Sequence, residues 1–251
     1  MSRVASLLGL ILSLAAGSAL LRWGMRWGST PDERVRPMPG DDYLERGLRS
    51  RVAMTRTISI DASPEDVWPW IAQLGRGAGW YSVDWLDNGR RVSARHIVSW
   101  IPDPRLGDAT TIGYLRHIDS GRALAWWVDG VRFAGAWARL VSSFVLYPEG
   151  TGTRLISRMS ADASGPSASG ALLVFRVIDS VMARRQLLGI RARVDVGEPA
   201  HAGYRESETG APDQYQLYEV IYADGESAGL RGKEHAARWR KSAMEDGILE
   251  R

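Results

Sequence analysis

The stretch from Asp61 to Asn88 places the strongest constraints on how this chain can fold. Ser63 followed by Pro64 predicts a helix start, because a serine oxygen can cap free backbone amides and a proline at the first helical position loses no hydrogen bond. Apolar residues then recur at helical spacing, which gives the helix one face that can pack on a core. These residues are Val67, Trp70, Ile71 and Leu74.

Large aromatic residues follow this helix after a glycine-rich loop. Pro69 lies past the first turn, where proline costs roughly 3 kcal/mol in a straight helix, so we expect a kink there. Asp84 and Asp87 are interspersed among the aromatic residues that come after the loop. The pattern predicts an aromatic wall with two carboxylates near it, formed by Trp80, Tyr81 and Trp85.

Several segments together resemble the SRPBCC or START-like superfamily, in particular its polyketide cyclase/dehydrase-like branch. They are the alternating TRTISI, then PEDVWPWIAQLG, GWYSVDWLDN, SARHIV and LGDATTIG. The resemblance spans roughly residues 51–194. It implies an α+β helix-grip fold of the START/Bet v 1 type, in which a curved antiparallel sheet surrounds a long C-terminal helix and encloses an apolar cavity. It does not imply one particular reaction.

Composition excludes several classes of protein. With 251 residues, of which 45% are hydrophobic, the chain can bury one good core. The net charge is only +3 and the core has no concentrated basic stripe, so we expect no nucleic-acid partner. The absence of cysteine and the wide spacing of the four histidines argue against a disulfide framework or a metal site. We expect no cofactor.

Tryptophan is unusually frequent in this sequence. Eleven tryptophans stand against three phenylalanines, although an indole N–H needs a partner when it is buried. Packing of an ordinary core does not require this skew. An aromatic-lined cavity would use these side chains.

The N-terminal run Val4–Leu21 has no charge and is just long enough to be a transmembrane helix. A signal peptide has a similar apolar part, but arginines follow directly where a cleavage site would prefer small residues. One arginine precedes the run and four follow it closely, which predicts a single-pass cell-membrane protein whose domain faces the cytoplasm. We therefore assign residues 1–27 to a transmembrane anchor and residues 28–50, rich in Pro, Gly and charge, to a juxtamembrane linker.

The remaining chain divides into a helix-grip domain at 51–195 and a polar tail at 196–251 that contains a charged helix candidate. Residues 51–60 form the first predicted strand, and Arg56 interrupts its apolar face. Four further strands are predicted at Thr110–Leu115, Ala123–Val128, Gly135–Tyr147 and Thr153–Ala161, the last two forming a hairpin across PEGTG. The period then becomes helical over Ser167–Val194, which predicts the helix that the sheet grips.

Two classes of function remain open. The first is a binding module that holds a lipid or other hydrophobic small molecule against Trp80, Tyr81, Trp85 and Trp126. Strand alternation allows only one of Trp126 and Trp127 to face the cavity, and we favour Trp126. The second is an enzyme similar to polyketide cyclases or dehydratases, for which Asp84 and His96 are the catalytic candidates. The two classes are distinguished by whether Asp84, His96 or Tyr81 points into the cavity.

Overall fold

The computed structural model describes residues 2–44, 50–99, 101–110 and 113–196. The helices of this part of the chain are α1 (Ser2–Met25), α2 (Pro31–Val35), α3 (Pro64–Ala72), α4 (Asp84–Asp87) and α5 (Ala168–Val196), with a 3-10 helix at Asp41–Leu44. The strands are β1 (Ser50–Ile60), β2 (Ala109–Thr110), β3 (Gly113–Asp119), β4 (Ala123–Phe133), β5 (Ala136–Glu149) and β6 (Gly152–Ser164).

The strands form one antiparallel sheet in the order β1-β6-β5-β4-β3-β2. The first strand therefore pairs with the last, from Ser50 opposite Ala163 to Ile60 opposite Thr153. The predicted hairpin is confirmed, because β5 and β6 pair along their length across the turn at 150–151. The alternation along these strands sends one set of side chains to each face of the sheet.

Helix α5 crosses one face of this sheet and buries the apolar residues of one side against it. Ala171 and Leu172 pack with β-strand residues such as Met54, and Leu187 and Ile190 join the cluster that includes Trp126. The expected helix-grip arrangement, an antiparallel sheet with a long C-terminal helix, is confirmed. Period-two alternation in the strands and helical spacing in α5 are the sequence signals that encode it.

Helix α3 begins as its sequence predicts. Ser63 is the N-cap, its Oγ accepts a hydrogen bond from the Asp66 amide, and Pro64 occupies the first helical position. Pro69 lies inside the helix. Val67, Trp70 and Ile71 are buried and join the core against α5 and the sheet. The loop that follows α3 is thereby held close to α5.

The segment 28–44, which we predicted to be a linker, instead packs on the outer face of the sheet as a strap. A Thr30 capping box starts α2, and Glu33 reaches 2.7 Å from Arg154 Nε on β6. Arg158 Nη1 lies 2.5 Å from Asp41 Oδ2, and its Nε donates to Thr55 Oγ1. Charge and proline content suggested solvent exposure, but these charges are paired with arginines that the sheet presents outward.

No helix in the described part of the chain is both long enough and apolar enough to cross a membrane. The transmembrane helix that we predicted within residues 1–27 is therefore not found there. Helix α1 extends to Met25, and its C-terminal end packs against α5 and β1. The predicted tail lies outside the described residues apart from Val196.

A buried ion pair joins three of these elements. Arg56 on β1 has no solvent exposure, and its Nη1 lies 2.6 Å from Asp179 Oδ2 on α5. Its Nε also donates a hydrogen bond to the carbonyl of Gly24 at the end of α1. A guanidinium ion at an inward strand position requires such partners, because an unpaired buried charge is very costly. The residue that interrupts the apolar face of β1 therefore links the sheet to both long helices.

We expect Arg56→Met to lower the free energy of unfolding by about 3–5 kcal/mol, because it leaves Asp179 buried without its cation. The double variant Arg56→Met/Asp179→Leu should recover much of this loss, since it removes both charges. Chemical denaturation of the single and double variants measures the effect. Arg122→Met, which breaks the exposed pair with Asp119, is the control and should cost less than about 1 kcal/mol. Equal costs for the buried and exposed pairs would contradict this account.

Candidate ligand cavity

A cavity of about 410 Å³ lies between the sheet and α5. This volume is within the range of small-molecule sites in proteins. Most of the side chains around it are apolar, and they come from β4, β5, β6, α5 and the segment at 80–87. The lining residues include Trp80, Trp126, Val128, Phe133, Leu140, Met159, Ala161, Leu172, Phe175, Ile178 and Met182.

One end of the cavity is a cluster of aromatic rings. Trp80 and Trp126 meet edge to face with ring centroids 5.7 Å apart, and Trp126 meets Phe144 in the same way at 5.6 Å. Such edge-to-face contacts match the positive edge of one ring to the negative face of the next. Gln186 on α5 donates a hydrogen bond to the Trp80 carbonyl and so ties this wall to the gripped helix. The aromatic end is consequently fixed in place.

The two cavity-wall tryptophans occupy different kinds of position. Trp80 follows the glycine-rich loop at the end of α3, and Trp126 is an inward residue of β4 with 1% exposure. The adjacent Trp127 faces the outer strap, where it stacks on Tyr43 at 4.7 Å and lies under the Arg116 guanidinium. The contribution of Trp80 and Trp126 to ligand binding stays a prediction.

Tyr81 and Trp85, which we also predicted as ligand contacts, do not line the cavity. Tyr81 is buried, its hydroxyl accepts a hydrogen bond from Gln73 Nε2, and the Arg193 guanidinium lies 4.2 Å from its ring centre. Burial raises the pKa of Tyr81, so its hydroxyl stays protonated. Trp85 is 68% exposed on α4. These rings lie close together in sequence, but Tyr81 has a left-handed backbone and its ring packs edge to face on Trp70, with ring centroids 6.1 Å apart.

The catalytic candidates Asp84 and His96 do not line the cavity either. The Asp84 carboxylate accepts hydrogen bonds from the Ser93 amide and hydroxyl, and it thereby braces the loop after α4. The backbone carbonyl of His96 accepts a hydrogen bond from Gln73, which also holds Tyr81. Their observed contacts support the loop.

Two other acidic residues, Asp87 and Asp179, do belong to the cavity lining. Burial raises the pKa of Asp87 to about 6, against the opposing effect of a hydrogen bond from Ser82. Burial also raises the pKa of Asp179, while Arg56 opposes the shift. The sequence analysis did not identify Asp179 as a cavity residue, because by itself it is only a polar residue in a predicted helix. The usable signal was Arg56, because a cation on an inward strand face requires a buried anion nearby.

The fold and the cavity together define the structural class of this protein. An antiparallel sheet that grips a long C-terminal helix around an apolar cavity is the helix-grip architecture of SRPBCC and START-like proteins, which the sequence resemblance implied. No protein-family model matches the chain, and no curated protein matches it in sequence.

Solved structures similar to this chain include the Ara h 8.0201 protein, with 10% identity over 59% of this chain and 100% of the other, at a TM-score of 0.38. The di-domain ARO/CYC BexL of the BE-7585A biosynthetic pathway shows 16% identity over 59% of this chain and 51% of the other, at 0.36. An uncharacterized protein of Rhizobium leguminosarum shows 10% identity over 59% and 97%, at 0.37. Similarity this low leaves the function to be inferred from the chain's own cavity.

The raised pKa of Asp87 predicts a pH-dependent stability. Because its folded pKa of about 6 exceeds the ordinary 3.8, the native state holds the proton between these values, and stability contributed by the protonated form is lost as pH rises through about 6. We expect Asp87→Asn to raise the melting temperature at pH 7.5 and to change it little at pH 4. Melting curves at both pH values test this. The exposed Asp61→Asn is the control, and an equal effect of Asp87→Asn at both pH values would contradict the expectation.

Proposed function

We propose that this chain binds a hydrophobic small molecule in the cavity between the sheet and α5. The single observation that carries the proposal is an apolar cavity of about 410 Å³ with an aromatic end. Transfer of apolar surface from water to such a lining is favourable by about 25 cal/mol per Å². A lipid chain or a fused-ring molecule has the required chemistry.

Catalysis on a hydrophobic substrate, as in polyketide cyclases or dehydratases, is the second candidate. Two acidic residues in the cavity lining, Asp87 and Asp179, favour it, since a carboxyl group such as that of Asp87, with a pKa of about 6, can exchange protons near neutral pH. Against it, Asp84, His96 and Tyr81 all make contacts outside the cavity. We therefore place binding first.

Filling the cavity should abolish binding. Ala171 is 2% exposed and lines the cavity on α5, so Ala171→Phe places a ring inside it. We expect this variant to bind the uncharged fluorescent probe N-phenyl-1-naphthylamine at least about tenfold more weakly, a loss of about 1.4 kcal/mol or more. Fluorescence titration measures the affinity, and thermal melting verifies that the variant folds.

The matched control is Ala192→Phe, the same substitution at an exposed position of the same helix. It should leave probe affinity unchanged. A folded Ala171→Phe protein that binds the probe as tightly as the unmodified chain would place binding elsewhere and overturn the proposed function.

We also propose that the domain works at a membrane surface. Helix α5 presents an exposed apolar stripe on the side that faces away from the sheet. Its residues are 46–59% exposed: Leu173, Val174, Val177 and Val181. Monomeric soluble proteins rarely expose contiguous apolar patches of large area unless a partner covers them.

Features next to the stripe favour a lipid bilayer as that partner. Helix α1 packs beside α5 and adds Leu20 at 67% and Trp23 at 54% exposure, and the uncharged run at 4–21 continues from there. The Arg184 guanidinium lies 6.0 Å from the Trp23 ring, in keeping with cations and indoles at a headgroup layer. The cytoplasmic side of the membrane is our proposal from the arginine distribution.

Charges on the stripe should release the protein from lipid. We expect Val177→Asp/Val181→Asp to reduce the fraction that floats with phosphatidylcholine–phosphatidylglycerol vesicles by at least about tenfold, since each carboxylate would have to be desolvated against apolar lipid. Val92→Asp, at a 73% exposed position away from the stripe, is the control and should float like the unmodified chain. Undiminished flotation of the double variant would show that the stripe is not the lipid contact.

A further inference from the structure

The cavity meets the protein surface between α4 and α5. Of the residues that line it, Leu86 on α4 and Ile178 on α5 are the most exposed, at 48% and 37%. A side chain that both lines a cavity and is open to solvent lies at the edge of that cavity. We call the edge formed by Leu86 and Ile178 the mouth of the cavity. Both of its side chains are apolar.

The chain just before α4 is attached to the side of α5 that carries the mouth. Ser82 Oγ donates a hydrogen bond to the carbonyl of Met182. Met182 follows Ile178 by four residues and therefore lies one turn further along the same side of the helix. On α4 itself, Trp85 is 68% exposed beside Leu86. Helix α4 thus presents two large apolar side chains to the outside of the protein at the mouth.

Ile178 also connects the mouth to the exposed stripe of α5. Val174 and Val181 of the stripe lie four residues before it and three residues after it, so the three side chains are neighbours on the helix surface. On its other side, Phe175 and Met182 are its neighbours by the same spacing, and both line the cavity. The stripe and the mouth therefore form one continuous apolar surface. The face that we propose to contact lipid includes the entrance to the cavity.

Exposed cations border this apolar surface. Arg184 and Arg185 follow Val181 by three and four residues, so they lie next to the end of the stripe. Arg90 and Arg91 are also exposed and come shortly after the end of α4. An apolar surface with basic residues at its edge fits an anionic bilayer, because the apolar side chains can enter the lipid while the guanidinium groups stay among the headgroups.

We propose that the ligand enters the cavity directly from an anionic lipid bilayer, through the mouth between α4 and α5, without passing through water. This inference rests on the proposed binding function and membrane contact, and it narrows the ligand class to molecules that partition into lipid. Exposure of an apolar molecule to water is unfavourable in proportion to its surface. A mouth held against the bilayer avoids this exposure.

The rate of ligand transfer from vesicles distinguishes the two routes. Diphenylhexatriene, an apolar fluorophore that is almost insoluble in water, is loaded into phosphatidylcholine–phosphatidylglycerol vesicles with a nitrobenzoxadiazole headgroup lipid that quenches it. Its fluorescence recovers when it moves to the protein. Transfer on contact is bimolecular, so we expect its rate to rise at least about fivefold when the vesicle concentration is raised about tenfold. Transfer through water is limited by escape from the bilayer, and its rate does not rise.

Trp85→Asp tests the position of the mouth. This residue does not line the cavity, so the affinity for N-phenyl-1-naphthylamine in vesicle-free solution should stay within about twofold. Transfer from vesicles should slow at least about tenfold, since the new carboxylate would have to be desolvated against lipid. The matched control is Val35→Asp, at an 81% exposed position on α2 at the outer face of the sheet. It should receive the fluorophore as fast as the unmodified chain.

The possible failures have different meanings. A transfer rate that does not rise with vesicle concentration, in a protein that still binds the fluorophore, would show that the ligand arrives through water. That result would overturn this inference and leave the proposed binding function intact. Undiminished transfer to a folded Trp85→Asp protein would overturn the inference as well, because the entrance would lie away from α4. Failure to bind either N-phenyl-1-naphthylamine or diphenylhexatriene would overturn both proposals.

Discussion

The buried contact between Arg56 and Asp179 is the interaction on which the arrangement of this domain depends. Arg56 stands in the middle of β1, on the face that is otherwise apolar, and it reaches α5 through Asp179 and α1 through the Gly24 carbonyl. The hydrophobic effect is non-directional, whereas a buried cation has few positions in which it is paired. The pair therefore fixes where α5 crosses the sheet, and with it the depth of the cavity beneath the helix.

The sheet uses its two faces in different ways. Its inner face combines apolar side chains with this one ion pair, whereas its outer face presents Arg154 and Arg158 to the strap at 28–44. Burial of a strand on both faces restricts its register, because a slip by one residue would exchange the two sets of side chains. For β1 such a slip would move Arg56 outward and Thr55 inward. The charges on the two faces thus specify the same alignment that the apolar residues specify.

Much of the fold could be predicted from periodicity and from local signals. The Ser63 cap, the β5–β6 hairpin and the long C-terminal helix depend on residues near one another in the chain, and these predictions agree with the structure. The site was harder to predict, because it depends on contacts between distant segments. Tyr81 and Trp85 are close to Trp80 in sequence but do not line the cavity. The role of Asp179 depends on its ion pair with Arg56, which lies on a strand far away in the chain. The strap was misread as a linker because its partners, Arg154 and Arg158, lie more than a hundred residues away.

Pairing of the first strand with the last has a consequence for the order in which the domain assembles. Strands β3 to β6 are joined by short turns and can pair as soon as they are made, but β1 must wait until β6 has been synthesised, about a hundred residues later. Until then, the edge of β1 that pairs with β6 and the surface of β1 that α5 covers are both open. A nascent chain at this stage has Arg56 exposed to water and an unpaired edge on β1, which could pair with another chain. A lipid surface or a chaperone that holds the N-terminal region would prevent this pairing.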